Sequence, residues 1–181
     1  MQFDFASNEE FISKFKNTKF ADRHKIKEVI AFLGIDMKHY LTNQKVYLSK
    51  KQIQEMLDYG MFFGGHTMSH PPLAQLSHEE KKAEIIDSIE WVKTNFKVDY
   101  SAFAFPFTDK NNSKKLFEEL FEYDKNILIF GNSGLKKDID NRIIQRFSLE
   151  NPNKTITKVI VTEHLYKLFN KMTGNYQIKR K

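Results

Sequence analysis

The 181-residue chain has no cysteine, only four prolines, seven glycines and a single tryptophan. Without cysteine there is neither a disulfide nor a thiolate metal site, so any bound cation has to be held by histidine, aspartate or glutamate. The absence does not decide the compartment. No apolar run approaches the roughly 20 residues that cross a bilayer, and no charged-then-apolar leader opens the chain. No membrane partner is expected, and in the absence of a leader the location defaults to the cytoplasm. Internal repeats, low-complexity stretches and linkers are missing too, which favours one domain over residues 1–181.

What is present is a globular composition, 40% hydrophobic and 29% charged, with 17 phenylalanines able to fill a core with few residues. The net charge of +6 favours an anionic partner such as nucleic acid or an acidic glycan. The lysines are interleaved with acids, as in Lys81-Lys82-Ala83-Glu84 and at 114–119, and no groove-reading motif accompanies them. Nucleic acid is therefore not an expected partner. The dense basic run Lys179-Arg180-Lys181 reads as a frayed tail.

The first forty residues read as helices. Ser7 caps a helix carrying Phe11, Ile12 and Phe15; a second starts near Asp22 with Ile26, Val29, Ile30 and Leu33 on one face and ends at Gly34; a third covers about 36–41. Strands and helices then alternate. Ser49 and Gln52 form a capping box, and Gly60 closes that helix. Residues 61–64 read as a buried strand. Ser77 and Glu80 form a second capping box, followed by Ile85, Ile89, Val92 and Phe96 at core-facing spacing, with Trp91 packing on that helix. Residues 102–105 and 127–130 are strand candidates and Ile143-Ile144 one more, while helices follow Ser113 and Thr155. Such alternation predicts an α/β domain with mainly parallel strands, whose ligands sit at the C-terminal ends of the strands.

One stretch stands apart: Phe63-Gly64-Gly65-His66-Thr67-Met68-Ser69-His70-Pro71-Pro72-Leu73. It follows a predicted strand, the glycines permit a sharp turn or a close approach, and Pro71 biases His70 away from the α region. A tight loop, rather than a helix turn, would bring the two imidazoles together. Two neutral imidazoles and a carboxylate are a common divalent-metal set. His24, His39, His78 and His164 are single residues on helix surfaces or caps and carry no such context.

The segment 65–73, with Leu76-Ser77 and an acidic helix behind it, resembles the metal-binding motif of the polysaccharide deacetylases, the chitooligosaccharide-deacetylase homology domain of carbohydrate esterase family 4. Tyr47–Ile53 with Gly60–Phe63 is similar to the helix and strand before that motif, and Ala102–Phe107 to the motif that lines the active-site groove. The resemblance is best from residue 45 to 150, behind a helical lead-in at 1–44 and before a C-terminal helix and tail at 151–181. It implies a partial, distorted (β/α) barrel and a hydrolase that removes N- or O-acetyl groups from a polysaccharide. It further implies a divalent metal (zinc, with cobalt, manganese or nickel as alternatives) on His66 and His70, a substrate groove at Phe105, Pro106 and Phe107, and an oxyanion donor in the Phe107 N–H. Arg146 or Arg142 would hold a carboxylate or the substrate, or else serve a structural role.

The chain departs from the family pattern in two respects that bear on chemistry. The Thr-Phe-Asp-Asp-Gly segment that carries the third ligand and the base is absent, and Asp4 in Phe3-Asp4-Phe5 is a weak counterpart. The late Leu-x-x-His motif is likewise missing. The expectation is a chain lacking the first strands of the fold, with a companion chain as a possible source of them. The alternative is a non-catalytic glycan-binding or interaction domain, with Trp91, Tyr100, Phe105 and Phe107 as sugar-stacking candidates.

Overall fold

A computed structural model of the chain describes residues 6–150 and 153–181. By its contacts the chain divides into two compact units, Met1–Met56 and Leu57–Lys181, and each is taken by itself. The first is helical. Helix α1 (Asn8–Lys16) starts where the Ser7 hydroxyl accepts the Glu10 N–H, as its sequence predicts. Helix α2 (Arg23–Phe32) follows a 3₁₀ turn at Phe20–Asp22, and Gly34, at φ +66°, ends it. In α3 (Met37–Gln44) Asp36 accepts the His39 N–H at 2.9 Å. Val29 is the one buried apolar residue among the described residues of this unit, and Phe32 and Leu33 are exposed. The helical stripe of α2 is therefore only half used.

Helix α4 (Lys50–Asp58) carries the predicted capping box: the Ser49 N–H donates to Gln52 Oε1 at 2.9 Å and the Gln52 N–H to Ser49 Oγ at 3.2 Å. The second unit is built on a parallel sheet of β1 (Ala102–Ala104), β2 (Leu128–Gly131) and β3 (Ile143–Gln145), in that order. Helices α5 (His78–Phe96), α6 (Lys114–Tyr123) and α7 (Ile156–Met172) accompany it. The predicted stripe of α5 is buried, and Ile85 and Ile89 join Phe103, Phe105, Leu116, Phe117, Leu120, Ile129 and Ile143 in one core. The Phe103 and Phe105 rings meet edge-on at 5.1 Å, the geometry that ring quadrupoles favour.

Four expectations are corrected. The buried strand at 61–64 is reduced to one parallel bridge, Gly65 against Phe103, and Phe62 is 81% exposed. The reason is that no strand among the described residues lies on its outer side, so its side chains are only partly covered, Phe62 by the Tyr100 ring at 5.4 Å. Trp91 is not core: it is 42% exposed and touches Phe96 edge-on. Helix α7 forms as predicted but buries only Val159, leaving Leu165, Leu168 and Phe169 exposed. The basic tail is docked: Lys137 pairs with Gln177, and Arg180 is enclosed. An open parallel α/β sheet is what the described residues form.

Candidate functional site

Gly65 fixes the start of the histidine loop. Its N–H donates to the Ala102 carbonyl at 2.8 Å and its carbonyl accepts the Ala104 N–H at 2.9 Å, so the loop leaves the sheet at the C-terminal end of β1. A Cβ at Gly65 would lie 2.4 Å from Ser88 Oγ and 2.9 Å from the Ile89 nitrogen. Only glycine lets the chain lie directly on α5 there.

From that anchor the loop turns through strained backbone. Thr67 (φ +69°) and His70 (φ +53°) occupy the left-handed region, as does Phe107 (φ +50°) opposite them. Each such non-glycine residue costs about 1–3 kcal/mol, and three together mark a place where geometry is held against local preference. Pro71 keeps His70 out of the right-handed helical region, as expected, and the residue takes the left-handed one. Tertiary hydrogen bonds compensate. The Thr67 hydroxyl donates to the His66 carbonyl and accepts the His70 N–H at 3.1 Å. Glu84, reaching from α5, accepts the Met68 and Ser69 N–H groups at 2.7 and 2.9 Å and the Ser69 hydroxyl at 2.5 Å.

The result brings the two imidazoles together, with ring centroids 5.0 Å apart and tilted by 59°. His66 Nδ1 lies 2.6 Å from the Ala104 carbonyl. A carbonyl only accepts, so Nδ1 carries the proton and Nε2 presents its lone pair. The Phe107 ring meets His70 edge-on at 4.8 Å and is 62% exposed, walling one side. Its N–H has no acceptor among the described residues. Both histidines are exposed, as a ligand would require.

The donor set fits a divalent cation at two positions. Among the described residues no group of three His, Asp, Glu or Cys side chains is arranged to hold a metal ion. Asp4 lies outside the described residues. Of the other histidines, His39 is engaged with Asn43 at 2.7 Å and His78 with Glu119 at 3.1 Å.

The remaining candidates separate by burial. Phe105 is 1% exposed inside the core and Pro106 is also buried, so of the groove segment only Phe107 offers a side chain to a ligand. Arg146 donates to the carbonyls of Gly131, Phe105 and Phe130 at 3.1, 3.5 and 3.4 Å, capping the C-terminal ends of β1 and β2. Arg142 grips Asp140 at 2.7 and 2.8 Å, which holds that carboxyl down at about 2, and it lies 3.6 Å over the Phe121 ring. Tyr100 is tied into the fold, its hydroxyl accepting the Phe63 N–H at 3.1 Å.

Beneath the loop 107–112 lies a charged network that sequence reasoning missed. Arg180 bonds Asp109 Oδ2 at 2.6 Å, the Asp109 carbonyl at 2.7 Å, and both oxygens of Asp138 at 3.0 and 2.5 Å. Gln145 donates to both carboxylates, Ser133 and the Asn132 N–H to Asp109. Burial pushes the Asp109 carboxyl up, but Arg180 and these donors outweigh it and hold it below its ordinary value. Burial likewise opposes the charge on Arg180, and the two aspartates prevail, raising it. Asn132 also donates to the Phe107 carbonyl, which ties the network to the wall beside His70.

A family model described as polysaccharide deacetylase matches residues 13–124, more than half of the chain. The match runs further upstream than the motif resemblance does and ends at the close of α6. No curated protein and no solved structure matches the chain.

Proposed function

Since the chain belongs to the polysaccharide deacetylase family, we propose that it carries a metal-dependent hydrolytic site removing N- or O-acetyl groups from a polysaccharide. One observation carries this reading: His66 and His70 converge at 5.0 Å with His66 Nδ1 tied to the Ala104 carbonyl. That tie orients the ring and leaves Nε2 as donor, the usual arrangement around a ligating histidine. A divalent cation, zinc first and cobalt, manganese or nickel as alternatives, would there polarise the acyl carbonyl and acidify its water. The Ala104 carbonyl holds the His66 proton at Nδ1. The Phe107 ring excludes water beside His70, and its N–H is available to a developing oxyanion. Phe105 and Pro106 set the shape of that wall from within, and Arg146 braces the strand ends below it.

The third ligand and the base are both carboxylates in this reading. We assign them to a segment that pairs along the open edge at 61–65, where the apolar Met61 and Phe62 are exposed and, among the described residues, no strand lies on the outer side of Gly65. A companion chain would meet that need, and the sheet would then extend toward a distorted (β/α) barrel. The second reading, a non-catalytic glycan-binding domain, is favoured by the incomplete donor set.

The test is metal content and acetate release by the full chain. Zinc or cobalt is expected to bind one equivalent, and the His66→Ala/His70→Ala double variant to bind none. Unchanged metal content in that variant would remove the site assignment. Acetate release from acetylated chitooligosaccharide or xylan would exclude the binding-only reading.

A further inference from the structure

A concave feature lies beyond the C-terminal end of β2. It is a cavity of about 690 Å³ whose walls include Lys110, Lys136, Lys167 and Lys179 and one carboxylate, Glu163. That volume is in the range of ligand pockets. Its floor includes Asn132 and Ser133, which directly follow the C-terminal end of β2, where parallel sheets place ligands. Asn132 on its lining donates to the carbonyl of Phe107, whose ring touches His70, so one residue links the cavity to the histidine pair.

The lysines need an explanation. Some lysines elsewhere pair with acids, as Lys82 does with Glu119 at 3.0 Å and Lys114 with Glu118 at 2.9 Å. None of the four around this cavity forms an ion pair among the described residues. A cavity of that volume spans roughly 11 Å if taken as a sphere, little more than the ~8 Å Debye length at physiological salt, so their mutual repulsion is only partly screened. Lysines spread over a convex surface avoid that repulsion; lysines gathered round one concavity do not, unless an anion is drawn in. The half-exposed ring of Tyr166 on the same wall offers a face for a sugar.

We infer that this cavity is an extension subsite that takes an acidic sugar, so that the substrate is an N-acetylated glycan bearing carboxylates rather than a neutral one. The inference rests on the deacetylase reading for the word substrate, and on the lysine cavity alone for the acidic ligand. Four lysines against one glutamate give its lining an excess of positive charge.

The test uses the full chain and isothermal titration calorimetry at low salt, with a hyaluronan hexasaccharide (alternating N-acetylglucosamine and glucuronate) against chitohexaose of equal length. Hyaluronan is expected to bind at least tenfold tighter. That preference should fall as salt rises, and should vanish in Lys110→Glu/Lys179→Glu, whose exposed positions leave the melting curve unaltered. Equal affinities, no binding of hyaluronan at millimolar concentration, or an unaffected charge-reversal variant would overturn the inference. So would a single-stranded oligodeoxynucleotide that binds as tightly as hyaluronan, because it would mark a general polyanion surface. The His66→Ala/His70→Ala variant is expected to keep the preference. If hyaluronan binds selectively but no acetate is released, the deacetylase reading fails and the acidic subsite stands; acetate release without selectivity fails only the subsite.

Discussion

Replacing Arg180 by alanine is expected to destabilise unit 57–181 by about 3–5 kcal/mol, the usual penalty for leaving a buried charge unpaired. The side chain is 2% exposed and the carboxylates of Asp109 and Asp138 are fully buried, so water does not take its place. Four hydrogen bonds from one guanidinium are lost together. So is its position 4.3 Å over the Phe117 ring. Against a total domain stability of about 5–15 kcal/mol this is a large fraction. The sign with pH follows from the direction of the shifts. In the native chain Asp109 is held below its ordinary value, so its contribution is full at neutral pH and is lost only as acid brings the pH down through that lowered pKa. Without Arg180, burial dominates and raises the carboxyl, and the variant then gains from protonation as pH falls. Urea unfolding followed by Trp91 fluorescence at pH 7 and pH 5 should therefore show a smaller gap between variant and native at pH 5. In an Asp109→Asn/Asp138→Asn background, which removes the orphaned charge, the alanine should cost less than about 1.5 kcal/mol. A penalty below about 1 kcal/mol at pH 7, or one indifferent to pH and to the asparagine background, would refute the pairing.

Three further outcomes are expected. Glu84→Ala removes the clamp on Met68 and Ser69 and should weaken cobalt binding about 10–100-fold with an unchanged circular dichroism spectrum; Glu84→Gln, which keeps an acceptor, should recover part of it. Gly65→Ala drives a methyl group into Ser88 and the α5 backbone and should cost about 1–3 kcal/mol, read as a lower Tm. Ser77→Ala breaks the capping box of α5 and should cost about 1 kcal/mol in urea unfolding, wherever the metal stands.

Local chemistry made much of this chain legible. Ser7, Ser49, Ser77, Ser113 and Thr155 each mark a helix start, because a hydroxyl that satisfies an orphan N–H acts within three residues and needs no distant partner. The spacing of Ile85, Ile89, Val92 and Phe96 is read the same way, since a helix presents every third or fourth residue to one face. The glycine–histidine loop and its family resemblance were legible too, down to the convergence of His66 and His70 in a turn. What the tertiary structure decided is everything that depends on residues far apart in sequence. Arg180 meets Asp109 across 71 positions, which is why a basic tail reads as frayed until the buried carboxylates are seen. Phe105 and Phe107 look alike in sequence and end in opposite surroundings, one in the core and one beside His70, because Phe105 still bonds the Phe130 carbonyl of the sheet and the chain turns at Phe107. Residues 61–64 are apolar enough for a buried strand, yet a strand is buried only when something covers it, and no local pattern encodes the neighbour. Sequence by itself singled out His66 and His70; the sheet end at Gly65 and the Glu84 clamp decided that they face each other.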